Sequence, residues 1–263
     1  MSPSPGDAPS ADAWQAESAA LGPFFAVEWH DDGRHGGPVR PPWRSMAELA
    51  DGSPVLGERV AAVRARLAAG GGQPAEAVES RVAASVTHLG LVARVLSPFL
   101  AHALLHGRVP PVPPLAALRW QPVLGRPFPL SLPRSVTGQG AAAPAEAAAP
   151  ADALADALAA GLLDGPLREL AAPFADLGVS PHIVRGNTAS AVNGAAAMAA
   201  SAAPGLAHRA RTLATLLLER PPLRGAATRT PSGAFRRRSC CLIYRAAPDA
   251  AGALCGDCVL RRD

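Results

Sequence analysis

Four cysteines, Cys240, Cys241, Cys255 and Cys258, fall within the last 24 residues of a 263-residue chain, and none of the preceding 239 residues is cysteine. Thiols placed by core packing alone spread through a chain, so this crowding points to one metal site. Cys255 and Cys258 frame a two-residue gap, and Gly256 within it permits the tight reversal that brings two thiolates to one centre. The other pair is contiguous. Adjacent residues of a regular strand point to opposite sides, so Cys240 and Cys241 reach one small ion only through a distorted backbone. A binuclear cluster eases that constraint by offering two irons, and four thiolates match the ligand count of a [2Fe-2S] centre. The same residues admit three other readings: a four-thiolate structural zinc site, a redox-active dithiol at Cys255 and Cys258, and four unrelated buried thiols.

Around the cysteines stand further groups with chemistry to offer. Arg236, Arg237 and Arg238 immediately precede Ser239 and Cys240, where they could attract an anionic chelate or an acidic protein, favour a more negative reduced cluster, or form a solvated run that docks nothing. Tyr244 and Arg245 are expected to pack over the site rather than continue a strand, and Asp257 to serve the turn rather than the metal. The seven histidines are His30, His35, His88, His102, His106, His182 and His208. His102 and His106 share a helical face, but no glutamate follows His102, so the zinc-protease pattern is absent. Ser190 and Ser239 have no nucleophile-elbow setting. Asn187 and Asn193 are assigned to capping and helix packing, although Asn187 could line a site.

The elements that must position these groups are mainly helical. Apolar residues at helical spacing predict a helix over Val55 to Ala69, ended by Gly70, Gly71 and Gly72, and another over Pro74 to Leu105 with a break or kink at Pro98. Leu118 to Val123 and Pro127 to Leu132 predict a small antiparallel hairpin, demoted to edge strands by Pro122, Pro127 and Pro129. Asp31 to Trp43 is a loop. Later helices are expected around Ala151 to Leu163, Pro166 to Phe174, Asn187 to Ala200 and Leu206 to Arg220, with a turn at Gly178 to Pro181. The fold class is mainly α with a small antiparallel sheet (α+β), in two lobes with a cysteine-rich C-terminal metal-binding tail. Its parts are a disordered N-terminus (1–13), an N-terminal helical lobe with the hairpin (14–136), a flexible low-complexity linker (137–150), a C-terminal helical lobe (151–230) and the iron-sulfur-binding tail (231–263).

Composition narrows the partners. The chain has no lysine, so all 25 basic side chains are arginine, and it is rich in alanine, glycine and proline. That bias fits a GC-rich genome, so arginine abundance by itself says little. The net charge of +4 is spread except for the run at 236–238, and aromatic residues make up only 4%, which argues against nucleic acid as a partner. The first twenty residues have neither a basic start nor an apolar run, so a cytoplasmic location is expected. No stretch with the bulk to span a bilayer is read, which leaves room for peripheral membrane contact. In a reducing compartment, four clustered cysteines are metal ligands rather than disulfides. No dinucleotide or phosphate loop is visible, since the Gly70 to Gly72 triplet follows no strand.

The segment GAFRRRSCCLIYRAAPDAAGALCGDCVL, Gly233 to Leu260, closely resembles the C-terminal signature of the FhuF-like ferric iron reductases. The stretch from Gly186 to Gly194 and the helix ending in Glu219 also resemble that family's second lobe. The thirteen residues between the cysteine pairs, Leu242 to Leu254, are more than is usual there; a longer surface loop adds little closure entropy, so the four thiols can still meet. The resemblance implies that Cys240, Cys241, Cys255 and Cys258 hold a [2Fe-2S] cluster and that the protein is an oxidoreductase for a ferric siderophore. It implies electrons from a partner such as a ferredoxin or an NAD(P)H-dependent reductase, since the chain shows no flavin or dinucleotide motif. The competing expectation is a non-catalytic zinc- or cluster-binding protein with a structural or sensing role.

Overall fold

The computed structural model describes residues 10–31, 39–138, 148–230 and 233–261. The first helix, α1 (Ala11–Ala20), begins where the Ser10 hydroxyl accepts the Ala13 N–H, a side-chain cap that satisfies one of the helix's orphan donors. Residues 10–13, expected to be disordered, are therefore a cap and a first turn, while residues 1–9 lie outside the described residues. Trp14 gives α1 its anchor: it is fully buried and meets Trp29, Phe99 and His102 edge-on.

Helix α2 (Val55–Gly70) runs as its apolar spacing predicts and stops at the glycines, with Gly72 at φ +65°. Helix α3 (Ser80–His106) starts later than expected because Pro74 fixes an extended residue before a 3₁₀ turn at Ala75–Ala77. It then passes through Pro98 without a break. Proline there removes one helical donor, but Val95 to Leu104 is buried without interruption, and that packing outweighs the local preference. By length and composition α3 is long and apolar enough to cross a membrane, which the sequence reading did not find. In this fold it is the central core helix, with 78% of its most apolar stretch buried against other elements.

Four short strands, β1 (Glu28–His30), β2 (Arg44–Ser45), β3 (Arg119–Trp120) and β4 (Leu130–Pro133), form one mixed sheet in the order β1-β4-β3-β2. The expected antiparallel hairpin is β3 with β4. Its strands are interior rather than edge strands, because β1 adds in parallel to β4 and β2 adds antiparallel to β3. The demotion fails because Pro122, Pro127 and Pro129 sit in the connection, outside the paired residues.

One turn of helix, α4 (Ser135–Gly138), closes the first lobe. The expected linker spans this end, and its residues 139–147 lie outside the described residues. Where it is described again it is packed: Ala149 donates to the Gly107 carbonyl at 3.0 Å. The second lobe comprises α5 (Ala151–Leu158) with a π-helical extension at Ala159–Leu163, α6 (Pro166–Ala171), α7 (Pro181–Ala202) and α8 (Ala207–Leu218). On α7, Ala189, Ala191, Val192, Ala195 and Ala196 are buried, and their small size lets it lie close against α3 and α8. A single buried apolar cluster runs from Trp14 to Leu223 and so spans both lobes. A second sheet, absent from the sequence reading, pairs β5 (Ala227–Arg229) antiparallel to β6 (Phe235–Arg237) and leads into the cysteines. The mainly helical α+β class holds.

Candidate metal centre

Strand β6 delivers the chain to the site. Its last residue, Arg237, donates its backbone N–H to the Asp257 carbonyl at 3.1 Å, so the two halves of the cysteine motif are laced together. Between them the chain turns through Leu242 at φ +69° into a 3₁₀ turn at Ile243–Ala246. Tyr244 and Arg245 therefore sit on this turn and continue no strand. The turn is tied down from both sides: Gln73 donates to the Ala246 carbonyl at 2.6 Å, and Arg245 pairs with Glu79 at the start of α3.

The thiols meet across the motif. Cys241 and Cys255 share a hydrogen bond with their sulfurs 3.5 Å apart. The two halves also repeat one device, in which a backbone N–H two residues on points back at a sulfur: Leu242 to Cys240 at 3.3 Å and Leu260 to Cys258 at 3.4 Å. Burial pushes the Cys240 thiol up, opposed by the Leu242 N–H and reinforced by Cys241 and Cys258 nearby. The contact with Cys255 holds Cys241 down at about 6, while that contact and burial push Cys255 up. Cys241 and Cys255 are thus in direct contact, and Cys241 and Cys258 both lie close enough to Cys240 to act on its thiol. Among the described residues, no three His, Cys, Asp or Glu side chains converge on a point that would hold a single metal ion. Cys241 and Cys258 are buried, whereas Cys240 and Cys255 are partly exposed and form the outer edge.

Behind the thiols lies a polar network. Arg237 is 1% exposed, and its Nη2 donates to Asn187 Oδ1 at 2.6 Å and to Ser239 Oγ at 3.3 Å. Asn187, on α7, passes its own Nδ2 to the Ser85 carbonyl and hydroxyl on α3, with His88 Nδ1 at 3.4 Å. Burial, reinforced by Arg237, depresses His88 to about 3, so it is a neutral member of this network. Arg237 Nε and Nη1 are buried and have no acceptor among the described residues. A buried cation with two unmet donors is costly unless an anion faces it, and a centre built on four thiolates is such an anion. The residues present therefore fit a [2Fe-2S] cluster.

Two sequence expectations change here. Of the three arginines assigned to docking, Arg237 is withdrawn: it points inward because alternate residues of β6 face opposite sides, while Arg238 is exposed and Arg236 is half-exposed. Asn187 does more than cap or pack, since it holds Arg237. Sequence reasoning weighed Ser190 only as a nucleophile and gave Gly186 no role of its own. A Cβ on Gly186 would lie 2.0 Å from Ser239 Oγ, so only glycine lets α7 approach. Ser190 donates to the Asp257 carboxylate and so holds the Cys255 loop. Gly186, Asn187 and Ser190 are three and four residues apart on a helix, which is the signal that could have grouped them. His102 and His106 pack against each other and serve the core: His102 Nδ1 meets the Arg108 carbonyl at 3.0 Å, and His106 pairs with Glu17. His35 lies outside the described residues.

Comparison with known proteins agrees with the geometry. The family model of the FhuF 2Fe-2S C-terminal domain matches residues 237–260. No curated protein and no solved structure matches the chain. The matched segment runs from the buried arginine through all four thiols; it is similar to the [2Fe-2S]-binding C-terminal domain of that family, and the cofactor of this site is a [2Fe-2S] cluster.

Proposed function

We propose that the protein is a cytoplasmic reductase of ferric siderophores in which Cys240, Cys241, Cys255 and Cys258 hold the cluster. The observation that carries this reading is the match of residues 237–260 to the FhuF [2Fe-2S] domain, on a thiol site whose Cys240 and Cys255 edge reaches the surface. When bound, the cluster supplies one electron, which turns chelated Fe(III) into Fe(II), an ion that hard oxygen ligands hold far less tightly, with no atom transferred.

The chain's own residues do the rest. Buried Cys241 and Cys258 fix the inner side, and partly exposed Cys240 and Cys255 bring the site within reach of a bulky chelate that cannot enter the core. Ser190 holds the Asp257 carboxylate and keeps the loop from Cys255 to Cys258 in place. Beside the site, a groove of about 490 Å³ between α8 and the β5–β6 hairpin is lined by Arg224, Arg229, Phe235 and Arg238 with Glu219. Its cationic wall, two residues from Cys240, is the face we assign to the chelate, with Arg236 and Arg238 as the docking members of the arginine run. The electron source is a partner protein, a ferredoxin or an NAD(P)H-dependent reductase. Peripheral membrane contact is compatible with this role, and nucleic acid has no part in it.

The test is an anaerobic preparation analysed for iron, sulfide and zinc, followed by mixing of the dithionite-reduced protein with a ferric trihydroxamate. Two irons and two sulfides per chain, oxidation of the protein by the chelate and capture of Fe(II) by a ferrous indicator are expected. Cys255→Ser or Cys258→Ser should abolish cluster assembly and iron release while leaving the helical circular dichroism intact. Full cluster occupancy in either variant would sink the ligand assignment, and one zinc per chain without a chromophore would favour a structural or sensing role.

A further inference from the structure

The cation behind the thiols differs in kind from those around them. Arg236 and Arg238 are at least partly in water, where solvent and salt screen their effect on anything nearby. Arg237 is enclosed, so its charge acts through a medium of low effective dielectric and is weakly screened. The guanidinium is also held through one nitrogen only. Nη2 is committed to Asn187 and Ser239, and Asn187 cannot swing away because its amide nitrogen is committed to Ser85 on another helix. That leaves Nε–H and Nη1–H, both buried and both without an acceptor among the described residues. A guanidinium anchored through one nitrogen and with its other donors open is arranged to receive an anion.

Among the described residues nothing else in the neighbourhood answers that charge. His88 is neutral, and Asp257 turns its carboxylate to Ser190 and offers Arg237 only a backbone carbonyl, which the Arg237 N–H takes. The helix α7 makes room for the guanidinium at Gly186, where a Cβ would approach Nη2 to 3.0 Å. Three elements thus cooperate to keep one arginine buried, with no counter-ion among the described residues, beside the cysteines.

We propose that Arg237 is a positioning residue that acts as the fixed counter-charge of the cluster, with Asn187 as its anchor, and that it raises the midpoint potential of the centre. The proposal rests on the reading that the four cysteines hold the cluster. Reduction adds one negative charge at the centre, and a nearby buried cation stabilises the reduced form more than the oxidised one.

Redox titration and electron paramagnetic resonance of the full chain test this. In R237Q the potential falls. At the wild-type midpoint the ratio of reduced to oxidised protein drops about tenfold or more, which is about 59 mV for a one-electron couple. The shift persists at high salt, whereas any shift in R238Q shrinks as salt is added. In R237K the charge stays but the planar fork is lost, so the potential moves less while the resonance of the reduced centre changes. R237Q with two irons, two sulfides and a reduced-to-oxidised ratio within about twofold of wild type overturns the inference. Should R237Q fail to hold a cluster, N187A carries the test: it keeps the cation and releases its anchor, and a wild-type potential together with a wild-type resonance overturns it. Wild-type protein without iron and sulfide refutes the cluster reading itself, an outcome distinct from either variant result.

Discussion

A single hydrogen atom at position 186 decides how close α7 comes to the cysteine segment. Ser239 is 4% exposed and its hydroxyl lies where a Cβ on Gly186 would go, so it has little room to rotate away. G186A should destabilise the fold by about 1–3 kcal/mol through overpacking and should disturb the Arg237 hydrogen bonds at the same point. A urea midpoint unchanged from wild type would show that α7 can retreat without cost. The arginine run makes the same point about neighbours in sequence. Arg237 and Arg238 are chemically identical and adjacent, yet one is core and the other surface, because Arg237 ends β6 on its inward side and the chain turns outward at Arg238.

Helices α3 and α7 earn their places by what they present on one face. From α3 come Ser85 and His88, and from α7 come Gly186, Asn187 and Ser190, so the polar network and the loop anchor are both built by two rods lying side by side. The end of α3 is as constrained as its middle. Gly107 closes the helix at φ +67°, and a Cβ there would approach Ala148 Cβ to 2.5 Å. G107A therefore meets left-handed strain of about 1–2 kcal/mol and a backbone neighbour at once. Thermal unfolding should show a clear loss of stability; a melting temperature equal to wild type would mean that the 148–150 segment is not fastened where it is placed. Surface ties such as Arg245 to Glu79 are exposed enough to contribute little.

The common core also makes stability depend on pH. Burial depresses His88, with Arg237 adding to the effect, and burial likewise depresses His102, each to about 3 from 6.5. In the unfolded chain both take up protons as pH falls below 6.5, while the folded protein keeps them neutral until about 3. Their contribution is thus fully present above the unfolded value and is lost as pH falls through this window, at up to about 1.4 kcal/mol per pH unit for each histidine. Urea midpoints of wild type and H102Q at about pH 7 and about pH 5 check this. The variant should lose less stability on acidification than wild type, and equal losses would exclude His102 as a source.

The four cysteines, their crowding and the resemblance they carry were legible in the residues alone, because ligand chemistry depends on residue type and short spacing. Helices α2, α5 and α8 were legible for the same reason: their apolar periodicity is a local property. Pro98 misled because local propensity was set against burial on all sides, and the prolines of the hairpin misled because pairing partners came from distant β1 and β2. The hairpin before the cysteines, the inward turn of Arg237 and the cradle of Asn187, Ser85 and Gly186 are contacts between residues up to 102 positions apart. Such contacts leave no periodic trace, since each is fixed by how α3, α7 and β6 pack together. The sequence by itself determined which atoms can bind the cluster; only the tertiary structure decided which cation stands behind them.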